Sequence, residues 1–424
     1  MKQQNLDPTG HSVRKDITAG LIGYLTTVYI VAVNSSILSE AGVSVQNAMI
    51  ATILASFVGC VLLGLWANAP MILIPGMGVN ALFAYSIVQG AGLTFQEGLG
   101  VVLVSSVLFI IVAMTKLGGW LQTAIPDSLK HAITVGLGFF LTLIGLEKGG
   151  LVVRGEHSLI ELGDLTSPIV MVSLLTLGIG IFLFVKNVPG HFLITMASGT
   201  LLAYMFGVLD GKTGVNMNLD VQWAFMPSFS AIDELAFWMG VFPLTIVLVF
   251  ENMGLINGQL SMLNQQDKFR KSFKSTAFSA LTCAFFGTSP TVSSAESAAV
   301  IASEGKSGKA SITTGVLFLV TILFIPFISW IPSMAISPIL IIVGALMVQN
   351  IRHISLEDLS EAIPAFLIMV MIPFTYSIAD GMAFGFIAYP IVKFAIGKKK
   401  EISVPIVIIA CMFLAEFIMK SIGY

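Results

Sequence analysis

The chain has 424 residues, 56% hydrophobic and only 10% charged, with a formal net charge of −2 and a mean hydropathy of +0.93. A soluble protein carries about a quarter charged residues, so this composition excludes that class, and the near-neutral balance offers no basic surface for nucleic acid. Long apolar runs recur throughout, and a helical bilayer span needs roughly 20 apolar residues; the fold class is an all-α polytopic membrane protein.

Residues 1–16 are a polar N-terminal tail, with no short apolar region and cleavage site ahead of the first long span, so no signal peptide is expected. Apolar segments follow near 17–38, 47–67, 70–90, 97–115, 129–147, 167–186, 190–209, 236–262, 273–287, 289–303, 310–331, 335–350, 361–378, 380–396 and 402–422. Pro and Gly interrupt 70–90 and 289–303, which sets these two apart.

Lys and Arg accumulate in cytoplasmic loops. With Arg14 and Lys15 inside, the inner loops hold Lys116 and Lys130, then Lys186, then Lys268, Arg270, Lys271 and Lys274. Lys306 and Lys309, Arg352, and Lys398, Lys399 and Lys400 follow on the same side. The outer loops hold Lys148, Arg154 and Lys212 mixed with Glu156, Asp164, Asp210 and Asp220. About 14 spans satisfy the rule at every loop, with the N-terminus cytoplasmic. The fifteenth segment, "ISVPIVIIACMFLAEFIMKSIG", does not fit an even count: either it lies at the interface or an earlier pair is a re-entrant hairpin.

A weak internal symmetry accompanies this count. "PGMGVNALFAY" (75–85) interrupts the third segment and "GTSPTVSSAES" (287–297) the tenth, while "IPDSLKHAITVGLG" (125–138) matches "IPSMAISPILIIVG" (331–344). Two halves of seven spans have opposite topology, and broken segments at corresponding places in inverted repeats point to a transporter's substrate site. Irregular backbone persists at membrane depth only where protein buries it or it lines a cavity.

Glu251 and Glu296 lie well inside predicted spans, where a charge costs about 2.5–3.5 kcal/mol on insertion scales and a functional role is the default. Ser293-x-x-Glu296 matches a capping box, so Glu296 has a structural reading beside the functional one. The two are compatible, because a helix starting at mid-membrane aims its dipole and the free amides of Ser294 and Ala295 into the cavity. Glu251 shares a helix face with Gly254 and Gly258. That face is either a close helix–helix contact or a cavity wall, where burial penalises the charged carboxylate and a proton can be taken and released. Asn80, near the other break, offers donor and acceptor groups, for a helix–helix bond or for a ligand; Tyr29 and Asn34 rank lower. Asp380 and Glu416 lie near segment ends, where interfacial water suffices. Cys60, Cys283 and Cys411 are spaced for neither metal nor disulfide. His131, His157, His191 and His353 lie near loops with no ligand spacing. With no nucleotide loop, metal motif or Ser/His/Asp arrangement, neither an enzyme nor a cofactor is expected.

"YLTTVYIVAVNSSILSEAG" (24–42), "PGMGVNALFAY", "FENMGLING" and "GTSPTVSSAESAAVIASEGKSG" resemble signature stretches of the nucleobase–cation symporter and nucleobase–ascorbate transporter superfamily, most closely its hypoxanthine, guanine and adenine permease branch. The resemblance covers essentially the whole chain in length, order and topology. It implies fourteen spans in two inverted repeats of seven, with strand-plus-half-helix segments at spans 3 and 10. It also implies core and gate domains, alternating as core 17–115, gate 116–235, core 236–331 and gate 332–424. The family's binding acids fall on Glu251 and Glu296, its span-10 amide on Ala295 and the purine branch's span-3 Asn on Asn80. Proton coupling, a plasma-membrane location and a homodimer through the gate domain are further implications. The chain departs from the purine branch in having Glu251-Asn252 for Asp-Thr, and Ser293-Ser294-Ala295 for Thr-Tyr-Ile. The expected function is therefore proton-coupled nucleobase import, with Glu251 carrying the proton and a purine as substrate. The alternatives are uracil or xanthine, or an anion carrier of related fold.

Overall fold

The computed structural model describes residues 12–118, 125–155, 158, 160–209 and 222–422. The first eleven residues, Glu156, His157, Asp210, Lys212 and Asp220 lie outside them. Among the described residues nine helices are long and apolar enough to cross a membrane, and His191–Met205, Leu359–Thr375 and Val404–Met419 are shorter apolar helices. The chain is a multi-pass membrane protein.

Among the described residues, three departures from uninterrupted helix bear on the cavity. The first segment is split into Val13–Thr27 and Ile30–Leu38, a break the sequence reading did not expect. Thr26 and Thr27 hydroxyls bond back to the Gly23 carbonyl at 2.9 and 2.7 Å, a pattern that bends helices. The third segment opens as strand β1 (Leu73–Pro75), then turns through Gly76 into the half-helix Met77–Ala81, whose continuation Leu82–Gly90 is wound as a π-helix. The tenth is strand β4 (Thr291–Ser293) followed by the short helix Ser297–Ala302.

Strands β1 and β4 pair antiparallel, with Leu73 opposite Ser293, Ile74 opposite Val292 and Pro75 opposite Thr291. Every residue of both strands is buried, so the pairing satisfies amides that lipid could not. Among the described residues the only other strands are a second, peripheral pair, β2 (Val152–Val153) with β3 (Glu161–Leu162).

The two matched "IP" stretches become helix starts: Pro126 precedes Asp127–Lys148 and Pro332 precedes Ser333–Val348. These two helices pack along one another. A Cβ at Gly138 would lie 2.7 Å from the Gly344 carbonyl oxygen, and one at Gly344 2.5 Å from the Gly138 carbonyl oxygen. The last glycine of each stretch therefore meets its counterpart at backbone contact.

Loops that the charge pattern groups together also meet in space. Lys15 pairs with Glu304 at 2.5 Å, Asp16 accepts from the Lys306 amide at 2.9 Å, and Lys268 donates to the Asn68 carbonyl at 2.5 Å. The last apolar segment is the 19-residue helix Val404–Ile422, packed on Ile378–Ala395.

Candidate functional site

A cavity of about 570 Å³ lies between the β1/β4 ribbon and helix Leu235–Met262 on one side and helices Asp127–Lys148 and Ser333–Val348 on the other. Tyr29, Glu251, Ala295 and Glu296 line its polar depth, and Asp127, Lys130, His131 and Asn350 line it at the end where the lysine-rich loops gather.

Glu296 stands between strand and half-helix, at the N-cap of Ser297–Ala302. The Tyr29 hydroxyl donates to its Oε1 at 2.5 Å, and the Ser294 hydroxyl donates to its Oε2. The expected capping box does not form. Ser293 Oγ instead donates to Gln259 Oε1 at 2.7 Å, and the Glu296 amide donates to Ser294 Oγ at 3.2 Å. Strand pairing turns Ser293 toward helix Leu235–Met262 and away from the helix start.

The amides flanking Glu296 differ. The Ser294 N–H donates to the Ile72 carbonyl at 2.9 Å, extending the ribbon by one bond, so it is engaged within the protein. Ala295 is exposed and lines the cavity.

Glu251 projects from the middle of Leu235–Met262, and its Oε2 is buried with no hydrogen-bond partner. Buried polar atoms are nearly always satisfied, and Glu251 lines the cavity. The close-packing reading of this helix face fails: a Cβ at Gly254 or Gly258 would meet nothing within 4 Å, and Gly254 lines the cavity.

Asn80 is fully buried behind the cavity wall, which on this side is Gly76, Met77 and Gly78. Its Nδ2 donates to Asn34 Oδ1 at 3.0 Å, and Asn34 Nδ2 donates to Thr52 and Thr288 hydroxyls at 2.7 and 3.0 Å. Asn80 and Asn34 therefore tie the half-helix to spans 1, 2 and 9. The structure brings Glu251, Glu296, Ala295 and Tyr29 together and leaves Asn80 one layer back.

Sequence reasoning missed Asn252 and Gln259, whose side chains hold β4, although two amides seven residues apart on an apolar helix were a signal. It also left His131 as a loop neighbour. That ring lies 5.0 Å from His353 and lines the cavity.

Aromatic and charged side chains cluster at the opposite end. Tyr85, Phe140 and Tyr376 form an edge-to-face cluster with centroids 5.1–5.8 Å apart. Tyr376 donates to Glu147 Oε2 at 2.5 Å, and Lys148 pairs with Glu40 at 2.8 Å. No group of three or more His, Cys, Asp or Glu suited to a metal occurs among the described residues.

The model of the Xan_ur_permease group, described as "Permease family", matches residues 14–384. The nucleobase transporter PlAzg2 of Paenibacillus larvae is 44% identical over 89% of this chain and 76% of its own length. The guanine/hypoxanthine permease PbuO of Bacillus subtilis is 37% identical over 96% of this chain and 97% of its own. The adenine permease AdeP of Escherichia coli is 30% identical over 96% and 94%. Among solved structures, the transmembrane domain of a cyanobacterial bicarbonate transporter, BicA, superimposes with a TM-score of 0.72 at 16% identity, over 86% of this chain and 96% of that domain. Murine Slc26a9 superimposes with a TM-score of 0.66 at 12% identity, over 94% and 69%; at these identities the likeness is one of fold. The chain therefore belongs to this permease family, in the nucleobase–ascorbate transporter superfamily beside its purine permeases, and is a transport protein rather than an enzyme.

Proposed function

We propose that the protein imports a nucleobase, with a purine as the favoured substrate, by proton symport across the plasma membrane. The observation that carries this reading is the pair of carboxylates in one cavity, Glu296 held by two hydroxyls and Glu251 with an unpartnered oxygen. A nucleobase is a flat neutral ring whose edge alternates N–H donors with carbonyl and ring-nitrogen acceptors. Two carboxylates accept from the donors while the Ala295 amide donates to an acceptor, and analogues that leave such groups unpaired are rejected. The cavity volume falls within the range of small-molecule sites. Purine substrates of the relatives support the branch.

Glu251 takes the coupling proton in this scheme: a neutral carboxyl beside the bound base lowers the cost of moving the loaded site through the membrane interior. Glu296 and Ala295 recognise the base, Ser294 orients Glu296 through its hydroxyl, and Asn80 positions the half-helix. The symmetric contact of Gly138 with Gly344 and the pairing of the two broken segments support two inverted repeats of seven spans. Segments 17–115 and 236–331 then act as core against gate segments 116–235 and 332–424. A cavity reaching one end, with the other end closed by Tyr376, Glu147, Lys148 and Glu40, fits an inward-open state of alternating access. An anion carrier would place positive helix ends without carboxylates at this point, so Glu251 and Glu296 argue against it.

Purified protein in liposomes, offered labelled hypoxanthine, guanine, adenine, xanthine and uracil with and without an acidic-outside gradient, tests the reading. Saturable, gradient-driven purine uptake is expected. Glu251→Gln should abolish gradient-driven accumulation while retaining base exchange. Uptake of uracil alone would move the protein to another branch, and no uptake of any base by folded protein would end the proposal.

A further inference from the structure

Helix Leu235–Met262 presents two amide side chains, Asn252 and Gln259, seven residues apart and hence on one face. Both are buried and both are spent on strand β4. Asn252 Nδ2 donates to its own helix at the Leu248 carbonyl, 2.8 Å away, which fixes the amide so that Oδ1 accepts from the Ser293 N–H at 2.9 Å. Gln259 makes two bonds, one to a side chain and one to the backbone: its Oε1 accepts from the Ser293 hydroxyl at 2.7 Å and its Nε2 donates to the Ser294 carbonyl at 2.7 Å.

Ser294 is thereby held on both edges, since its N–H donates to Ile72, and its hydroxyl in turn grips Glu296. The neighbour of Asn252 is Glu251. One helix therefore carries the first acid and, through two amides, sets the position of the strand that carries the second. Apolar contact alone would let a three-residue strand slide along the helix, whereas three directional bonds to Ser293 and Ser294 specify one register.

We propose that Asn252 and Gln259 are positioning residues that fix the separation of Glu251 from Glu296, and through it which planar heterocyclic base the cavity accepts. This rests on the nucleobase reading above. The strand in most of its surroundings is tied elsewhere: Thr291 shares a hydroxyl bond with Ser279 at 2.6 Å, and Leu73 to Pro75 supply the ladder. The two amides therefore act on the Ser293–Glu296 end, where the base sits, and loss of Gln259 shifts that end without unpairing the ribbon.

The test compares Gln259→Met, which keeps the bulk and removes both bonds, with Gln259→Glu, whose protonated carboxyl reproduces the donor and acceptor of the amide. Gln259→Met should raise KM for the best base about tenfold, the equivalent of one or two net hydrogen bonds. It should also compress the KM ratios between bases, with maximal rate per folded molecule changed less than about twofold. Gln259→Glu should recover the wild-type KM ratios as pH is lowered. A second arm is independent of substrate: Ala295→Cys, in a background with the exposed Cys411 replaced by Ser, is labelled with a small maleimide. Its labelling rate should change severalfold when Gln259→Met is added.

If labelling and KM ratios both stay at wild-type values while only abundance falls, the amides merely support the fold and the proposal is overturned. If wild-type protein carries no base at all, the functional reading fails, and the labelling arm alone decides for or against the clamp.

Discussion

The Tyr29 hydroxyl donates to Glu296 Oε1 at 2.5 Å, joining residues 267 positions apart. Tyr29 sits at the break between helices Val13–Thr27 and Ile30–Leu38, is 1% exposed and lies tilted against Phe192 with ring centroids 4.6 Å apart. Tyr29→Phe keeps the ring contact and removes the donor. An unpaired buried carboxylate oxygen costs about 1–3 kcal/mol, so base affinity should weaken roughly tenfold through a misoriented Glu296. An unchanged KM in reconstituted uptake would mean that Tyr29 only fills space.

Gly138 and Gly344 meet at backbone contact, with 2.7 and 2.5 Å from a notional Cβ to the opposing carbonyl. Ala at either position forces Asp127–Lys148 and Ser333–Val348 apart and should cost about 1–3 kcal/mol. Gly258→Ala is the contrast, because nothing lies within 4 Å of its Cβ. There the helix should gain up to about 1 kcal/mol. Thermal unfolding in detergent reads both, and equal shifts for the two kinds of site would contradict the packing described.

The end of the protein remote from the lysine-rich loops is held by Tyr376 donating to Glu147 at 2.5 Å and by the Lys148–Glu40 pair at 2.8 Å. The ion pair is partly exposed and worth little by itself. Tyr376→Phe loses the hydrogen bond and should favour the state open at that end by about five- to tenfold. A cysteine at Ser86, beside this closure, should then react correspondingly faster with an impermeant maleimide. No acceleration would show that the aromatic cluster alone keeps the end shut.

Asp358, in the loop ahead of Leu359–Thr375, accepts from Lys398 at 2.5 Å and from the Ser360 hydroxyl at 2.7 Å. The Lys398 hydrogen bond, followed by those from Ser360, holds its carboxyl well below the usual carboxylate range. A lowered value means the carboxylate's stabilising contribution is fully present above the unfolded value of about 4 and is lost only as pH falls further. Asp358→Asn should therefore lower stability by the same amount at pH 6 and pH 8. A pH-dependent difference between wild type and this variant across that interval would contradict the lowered carboxyl.

Glu251 and Glu296 stand out in the sequence, because costly carboxylates and a glycine- and proline-broken span contrast with an apolar background, and the structure lines one cavity with both. The segment order and the grouping of charged loops were legible for the same reason: bilayer thickness and charge asymmetry act on local sequence. The break at Val28–Tyr29 was not, since Thr back-bonding leaves no composition signal in an apolar run.

Local sequence thus determined that this is a multi-pass membrane protein with two irregular segments and two carboxylates inside its spans. Only the tertiary structure decided what those segments do with their polar atoms. Ser293 faces either its own helix start or Gln259, and Glu251 faces either a packed helix or a cavity. Asn80 faces either the ligand or Asn34. Each choice is between partners tens to hundreds of residues apart, and hydrogen-bond geometry at that range depends on how helices cross, which no local pattern encodes.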